Sequence, residues 1–159
     1  MVRSDNPVIV LVDDEDMVVT SIRSFLSLET DYEVKGFTNP AEALAYIKSH
    51  RVDVVVSDYL MPEIDGISFL SQVKGVQPEA TRILLTGYAD KENAIKAIND
   101  VGLYQYIEKP WENDDLKLII RNGLEKRILL KRLEDKITEV NRAHEELMSL
   151  QRDILKAFA

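Results

Sequence analysis

The 159-residue sequence contains no cysteine and only two histidines, His50 and His144, far apart in the chain. Disulfides and thiolate metal centres are therefore excluded, and a zinc site lacks ligands. Any metal bound here is a hard cation held by oxygen. No apolar run approaches the ~20 residues that a membrane span requires, and the opening MVRSDNP lacks the apolar stretch of a signal peptide. The chain is accordingly expected to be cytoplasmic, with no membrane partner. Positive charge is in deficit, 20 basic residues against 28 acidic ones, for a net charge of −8. That balance argues against nonspecific binding to phosphate backbones or anionic lipid, so no direct nucleic-acid contact is expected. Glycine is sparse, with 6 residues in all, and none forms a Gly-rich phosphate loop. A phosphoryl group bound to this chain must be held by side chains and metal rather than by a backbone cradle.

What is present is a regular alternation. A 45% hydrophobic content suffices for one domain of ordinary size plus a remainder. Short β-rich runs at 8–12, 33–36, 53–57, 82–85 and 104–107 alternate with segments of helical period near 16–29, 40–49, 66–74 and 91–100, and a final helix begins near Glu112. Asn39 and Pro40 give the second helix a cap and a first-turn proline. Runs such as VIVLV and VDVVV are apolar without alternation, as in strands covered on both faces. The predicted fold is α/β, a doubly wound five-stranded parallel sheet.

Five polar residues stand just past apolar runs: Asp13 and Asp14 after the first, Asp58 after the third, Thr86 after the fourth and Lys109 after the fifth. In a parallel sheet all strands end at one edge, and ligands bind outside those carboxyl ends. Three carboxylates there repel one another, in proportion to ~332/(εr) kcal/mol, unless a cation joins them. Together with a hydroxyl and an ammonium they describe a divalent cation beside a phosphoryl group. Phosphoryl transfer depends chiefly on such positioning and electrostatics, and Asp58, at the end of the central strand, is in a suitable position for a nucleophile.

VLVDDE at 10–15, SDYLMPEIDG at 57–66, LLTGYAD at 84–90 and YIEKPW at 106–111 stand in the order and spacing of a known family. Over roughly residues 7–125 the chain resembles the CheY-like receiver domain of bacterial two-component response regulators. The resemblance implies the flavodoxin-like strand order 2-1-3-4-5 and Asp58 as phosphoacceptor. Mg²⁺ is implied on Asp14, Asp58 and the backbone carbonyl of Leu60, with Asp13 acting through water. It further implies Lys109 as the cation for a phosphoryl oxygen, preceding a cis bond to Pro110, and Thr86 and Tyr106 as a coupled switch. In the family the side chains at the positions of Leu60 and Tyr88 flank the entrance to the phosphoryl group. An apolar Leu and a bulky Tyr should hinder an attacking water, so slow autodephosphorylation is expected.

The end of the chain carries a second pattern. Leu130, Leu133, Ile137, Val140, Leu147, Ile154 and Phe158 recur in alternating three-four spacing, with polar His144 and Gln151 filling the gaps. This is a heptad seam over about four repeats. A helix of roughly forty residues extends ~60 Å, well beyond one receiver domain. The expected organisation is a receiver at 1–125 and a helical extension at 126–159, a homodimerising coiled coil through 130–158. Residues 121–142 hold seven Lys or Arg against four Asp or Glu, but these are mixed around the helix and no helix-turn-helix follows.

The expected function is a phosphoacceptor that takes a phosphoryl group from a sensor histidine kinase or phosphotransfer protein. It catalyses only its own phosphorylation and dephosphorylation, and passes a switch to the C-terminal helix and an output domain outside these residues. LLTGYAD, EKPW and the QRDILKAFA tail are similar to regulators carrying an HD-GYP phosphodiesterase. No His-Asp metal pair or GYP segment occurs here, so that activity is not expected of this chain. The alternatives are a phosphorylation-independent dimerising scaffold and a small Mg²⁺-dependent phosphatase, the latter weakened by the lack of a second acid-base residue beside Asp58.

Overall fold

The computed structural model describes residues 6–87, 90–100 and 102–158. Five strands, β1 (Val8–Val12), β2 (Glu33–Phe37), β3 (Val54–Asp58), β4 (Thr81–Thr86) and β5 (Gln105–Glu108), form one sheet in the order β2-β1-β3-β4-β5. All pairings are parallel. The helices are α1 (Asp16–Glu29), α2 (Pro40–Ser49), α3 (Gly66–Val76), α4 (Lys91–Asp100) and α5 (Asn113–Ala157). This is the flavodoxin-like receiver fold with a long C-terminal helix. No helix among the described residues is long and apolar enough to cross a membrane.

Burial on both faces explains the unbroken apolar strands. Val10, Val12, Val55 and Leu84 point into a cluster with Ala43 and Ile47 of α2 and Phe69, Leu70 and Val73 of α3. Their neighbours Ile9, Leu11, Val54, Val56, Ile83 and Leu85 point the other way, onto Ile22 and Leu26 of α1 and Leu116, Ile120 and Leu124 of α5. The period-two pleat thus sends alternate residues into two cores.

Local chemistry sets the element ends. The Asn39 side chain accepts from the backbone N–H groups of Ala41 and Glu42, with Pro40 in the first turn. Asp65 Oδ1 accepts from Ser68 N at 2.8 Å and opens α3. That helix runs through Gly75 and stops where Gln77 N–H closes onto Val73 O, ahead of Pro78. The third strand includes Asp58, which pairs with Leu85, one residue beyond the expected end.

Chain contacts group residues 1–127 as one compact unit and 128–159 as a second. Within the first, α5 lies close to β4 at Gly123, where an added Cβ would stand 2.8 Å from Thr81 Cγ2. Thr81 Oγ1 donates to Gly123 O at 2.9 Å. Residues 128–158 of the second unit are helical throughout except Phe158, which lies in a turn, and all are exposed.

Candidate functional site

The carboxyl ends of β1, β3 and β5 bring together what the sequence scatters. Asp13 follows β1 and is buried, its N–H donating to Phe37 O at 3.2 Å. Asp58 ends β3 and is buried, whereas Asp14 is exposed. Carboxylate oxygens of Asp13, Asp14 and Asp58 all lie within 4.8 Å of one another. Lys109 Nζ, just past β5, stands 2.7 Å from Asp58 Oδ1 and 3.8 Å from Asp13 Oδ2. The Lys109-Pro110 peptide is cis.

The electrostatics follow from burial against pairing. Desolvation is the largest influence on Asp58 and raises its carboxyl above the usual range, although the hydrogen bond and charge of Lys109 oppose it. Asp13 is pushed up to about 6, chiefly by burial and further by the charges of Asp58 and Asp14, while the hydrogen bond from Glu15 N–H and the charge of Lys109 act the other way. For Lys109, burial works to lower the ammonium, but the hydrogen bond and charge of Asp58 prevail and hold it above its ordinary value. Asp13 Oδ2 is buried and has no hydrogen-bond partner. A buried carboxylate oxygen without a donor, beside two further carboxylates and an open cavity, fits an oxygen-liganded divalent cation that retains waters.

That cavity measures about 280 Å³ and is lined by Asp14, Glu15, Asp58, Tyr59, Leu60, Gly87, Asp90 and Lys109. Leu60 is exposed at its mouth. Tyr88 lies outside the described residues. A larger hollow of about 470 Å³ beside Trp111 and Leu118 is bordered by Glu108, Glu112 and Asp115; it holds neither the carboxylate triad nor Lys109.

Thr86 ends β4 and is fully buried rather than lining the cavity. Its hydroxyl donates to Gly87 O at 3.2 Å, and its carbonyl accepts from Lys109 N–H at 2.8 Å. Tyr106 in β5 pairs with Leu84 and is half-buried against the core that holds α2 and α3.

Three supporting residues were not recognisable in the sequence as parts of the site. Gly66 opens α3 so close to β3 that a Cβ there would lie 2.1 Å from Asp58 O and 2.8 Å from Leu84 Cδ1. Only glycine permits that approach to the Asp58 backbone. Tyr59 and Asn93 join the loop after Asp58 to α4, Asn93 Nδ2 donating to the Tyr59 hydroxyl at 3.1 Å. The motif SDYLMPEIDG contains Gly66, but the contact that demands it is made only in the folded chain.

Residues 9–121 match the response regulator receiver domain family. The hydrogenase transcriptional regulatory protein HoxA of Cupriavidus necator is 35% identical over 117 residues, 74% of this chain and 24% of that protein. Among solved structures, a response regulator receiver domain protein from Clostridium thermocellum aligns with a TM-score of 0.72 at 30% identity, covering 78% of this chain and 98% of its own. The signal receiver domain of an HD domain-containing protein from Pseudomonas fluorescens Pf-5 gives a TM-score of 0.71 at 34% identity, covering 77% and 97%. The chain belongs to the response regulator receiver domain family of two-component systems. It spans about a quarter of the length of HoxA and of the regulatory protein AtoC of Escherichia coli, another relative.

Proposed function

We propose that this receiver accepts a phosphoryl group on Asp58 in a Mg²⁺-dependent reaction and passes the change to its C-terminal helix. The observation that carries the reading is the convergence of carboxylate oxygens of Asp13, Asp14 and Asp58 within 4.8 Å of one another, beside a cavity that Asp14 and Asp58 line, with Lys109 2.7 Å from Asp58. An Asp58 oxygen attacks phosphorus as the bond to the donor's leaving group breaks, and an acyl phosphate results. Asp14, Asp58 and the Leu60 carbonyl would hold Mg²⁺, with Asp13 supporting it through water. The cation supplies charge neutralisation and alignment of the transferring group. Lys109 supplies the second positive charge, released from its carboxylate pairing to a phosphoryl oxygen. The donor is a sensor histidine kinase or a phosphotransfer protein, and the chain turns over no other substrate.

Thr86 is the first reporter. Among the described residues its hydroxyl bonds only to the neighbouring Gly87 carbonyl, a local contact it can exchange for a phosphoryl oxygen. Tyr106, one strand away and half-buried, is the second part of the switch, a bistable element biased by new charge. The exposed apolar positions of 130–158 make the extension a homodimerising coiled coil that carries the change toward an output domain. Intact-protein mass after incubation with acetyl phosphate tests the reading. One phosphoryl adduct is expected in Mg²⁺ and none after chelation; an adduct that forms equally without Mg²⁺ contradicts it.

A further inference from the structure

The extension offers two seams, and they differ in what they bury. The regular three-four frame that begins at Leu130 and Leu133 places His144 and Gln151 between Val140 and Phe158 as core residues. A second frame uses Ala143, Leu147, Leu150, Ile154 and Ala157, spaced four, three, four and three, with no polar member. It joins the proximal seam at Val140 through a single three-residue step to Ala143. Such an insertion of three residues is accommodated in coiled coils by local overwinding. In the single chain Leu147, Leu150 and Ile154 are 62%, 57% and 48% exposed, so nothing among the described residues covers either frame.

The flanks distinguish the frames. In a parallel pair, the residue just before one seam position faces the residue five places further on in the other helix. In the shifted frame this sets Glu139 against His144 of the partner subunit, and Glu146 against Gln151 of the partner subunit. Two of the margin pairs thus set an acidic group against a hydrogen-bonding or basic one, where such pairs belong, and the last sets Asp153 against Phe158 of the partner subunit. In the regular frame the same margin holds Ala143 with Met148 and Leu150 with Leu155, while the amide and the imidazole are taken into the core. That arrangement desolvates the polar groups and leaves Leu150 at the margin, where the shifted frame places it in the seam.

Building on the dimer proposed above, we infer that a second copy of this chain pairs in parallel with residues 140–158 through Val140, Ala143, Leu147, Leu150, Ile154 and Ala157. His144 and Gln151 lie on the flank of the interface, opposite the acidic groups of the other copy. The proximal seam through Leu130, Leu133 and Ile137 is common to both frames. The step at Val140 is where the two halves of the coil change register.

The chain has no cysteine of its own, so single replacements report the seam directly. Leu133→Cys, Leu147→Cys, Leu150→Cys and Gln151→Cys are made in the full chain and oxidised, with mass measured by light scattering. Rapid dimeric cross-linking at 133, 147 and 150, with Gln151→Cys at least about tenfold slower, is the expected result. Cross-linking at 151 as fast as at 147, with 150 slow, overturns the shifted seam and leaves the dimer standing. Rapid cross-linking at both 150 and 151 in a trimer or tetramer overturns it in favour of a broader bundle. A dimeric mass without cross-links at 133 and 147 overturns the parallel arrangement. A monomeric mass with no cross-links removes the coiled-coil dimer itself, and this inference with it.

Discussion

Lys109 Nζ stands 2.7 Å from Asp58 Oδ1 and 3.8 Å from Asp13 Oδ2, so one ammonium serves two carboxylates that are both buried. Removing it takes away a fixed positive charge beside Asp58, the proposed nucleophile, while leaving every proposed metal ligand in the chain. Lys109→Ala is expected to slow phosphoryl acceptance from acetyl phosphate by about 10²-fold, as loss of one charge-stabilising donor typically does. Mg²⁺ should still bind, and titration calorimetry on the same variant checks that separation.

Asp13 gives a pH dependence whose sign can be worked out. Its carboxyl is raised from 3.8 to about 6 in the folded chain, burial being the main cause. Between those values the folded chain keeps a proton that the unfolded chain has released, so metal-free stability falls as pH rises through the window. The cost at pH 7 is about 3 kcal/mol. Asp13→Asn should raise the Tm of the Mg²⁺-free protein at pH 7 and flatten its change between pH 4 and 6. Mg²⁺ affinity of the unaltered chain should fall as pH drops below about 6, because the cation requires the carboxylate; calorimetry across that range measures it.

Arg127 and Asp53 form a second buried relationship, at the opposite end of β3 from Asp58. Arg127 Nε lies 3.3 Å from Asp53 Oδ1, while Asp53 Oδ2 accepts from Val8 N–H at 2.9 Å. The guanidinium contact is an ion pair rather than an aligned hydrogen bond, since Nε has no hydrogen-bond partner. Arg51 Nη2, 3.6 Å from Asp53 Oδ1, still compensates Asp53 in part, so Arg127→Ala should destabilise the receiver by ~1–3 kcal/mol, the cost of removing one partner of a buried polar group. Chemical denaturation of the two proteins measures the difference.

Gly66→Ala inserts a Cβ against the Asp58 carbonyl and the Leu84 side chain. Backbone has to move to relieve the clash. A loss of ~1–3 kcal/mol, the usual cost of overpacking, is expected, with slower phosphoryl acceptance because Asp58 itself is displaced. Denaturation and the acetyl phosphate reaction report the two effects separately.

Leu60 borders the cavity from an exposed position, where an apolar side chain supplies no hydrogen bond to an attacking water. Leu60→Asn should shorten the phosphoryl half-life. A time course of the adduct mass after donor removal checks it, and a half-life shortened by neither this variant nor Tyr88→Ala would count against the expected hindrance of an attacking water.

Much of the fold was legible because it rests on local periodicity. Helices α1, α2 and α4 begin and end where the pattern of apolar residues and the Asn39-Pro40 start placed them. At α3 the pattern stopped too early, near residue 74, because Gly75 is a poor helix former. Gly75 faces open space, and the helix passes through it to Val76 before Gln77 closes the end. The shift of β5 from 104–107 to Gln105–Glu108 follows from its ladder with Ile83–Thr86, which no local signal records. Asp13, Asp14, Asp58, Thr86 and Lys109 were readable because each ends a strand or stands just past one, and parallel topology delivers strand ends to one edge. The Asp53–Arg127 pair, the Gly66 approach and the Tyr59–Asn93 bond depend on residues that meet only after packing.

The most direct test is where the phosphoryl group is carried. Borohydride reduces an acyl phosphate to the alcohol, so treatment after acetyl phosphate and Mg²⁺, followed by peptide mass mapping, converts the acceptor aspartate to homoserine. Conversion at residue 58 alone, requiring both donor and Mg²⁺, is the predicted result. Conversion at Asp13 or Asp14 with Asp58 intact, or none despite a phosphoryl adduct, would contradict the assignment of Asp58 as the nucleophile.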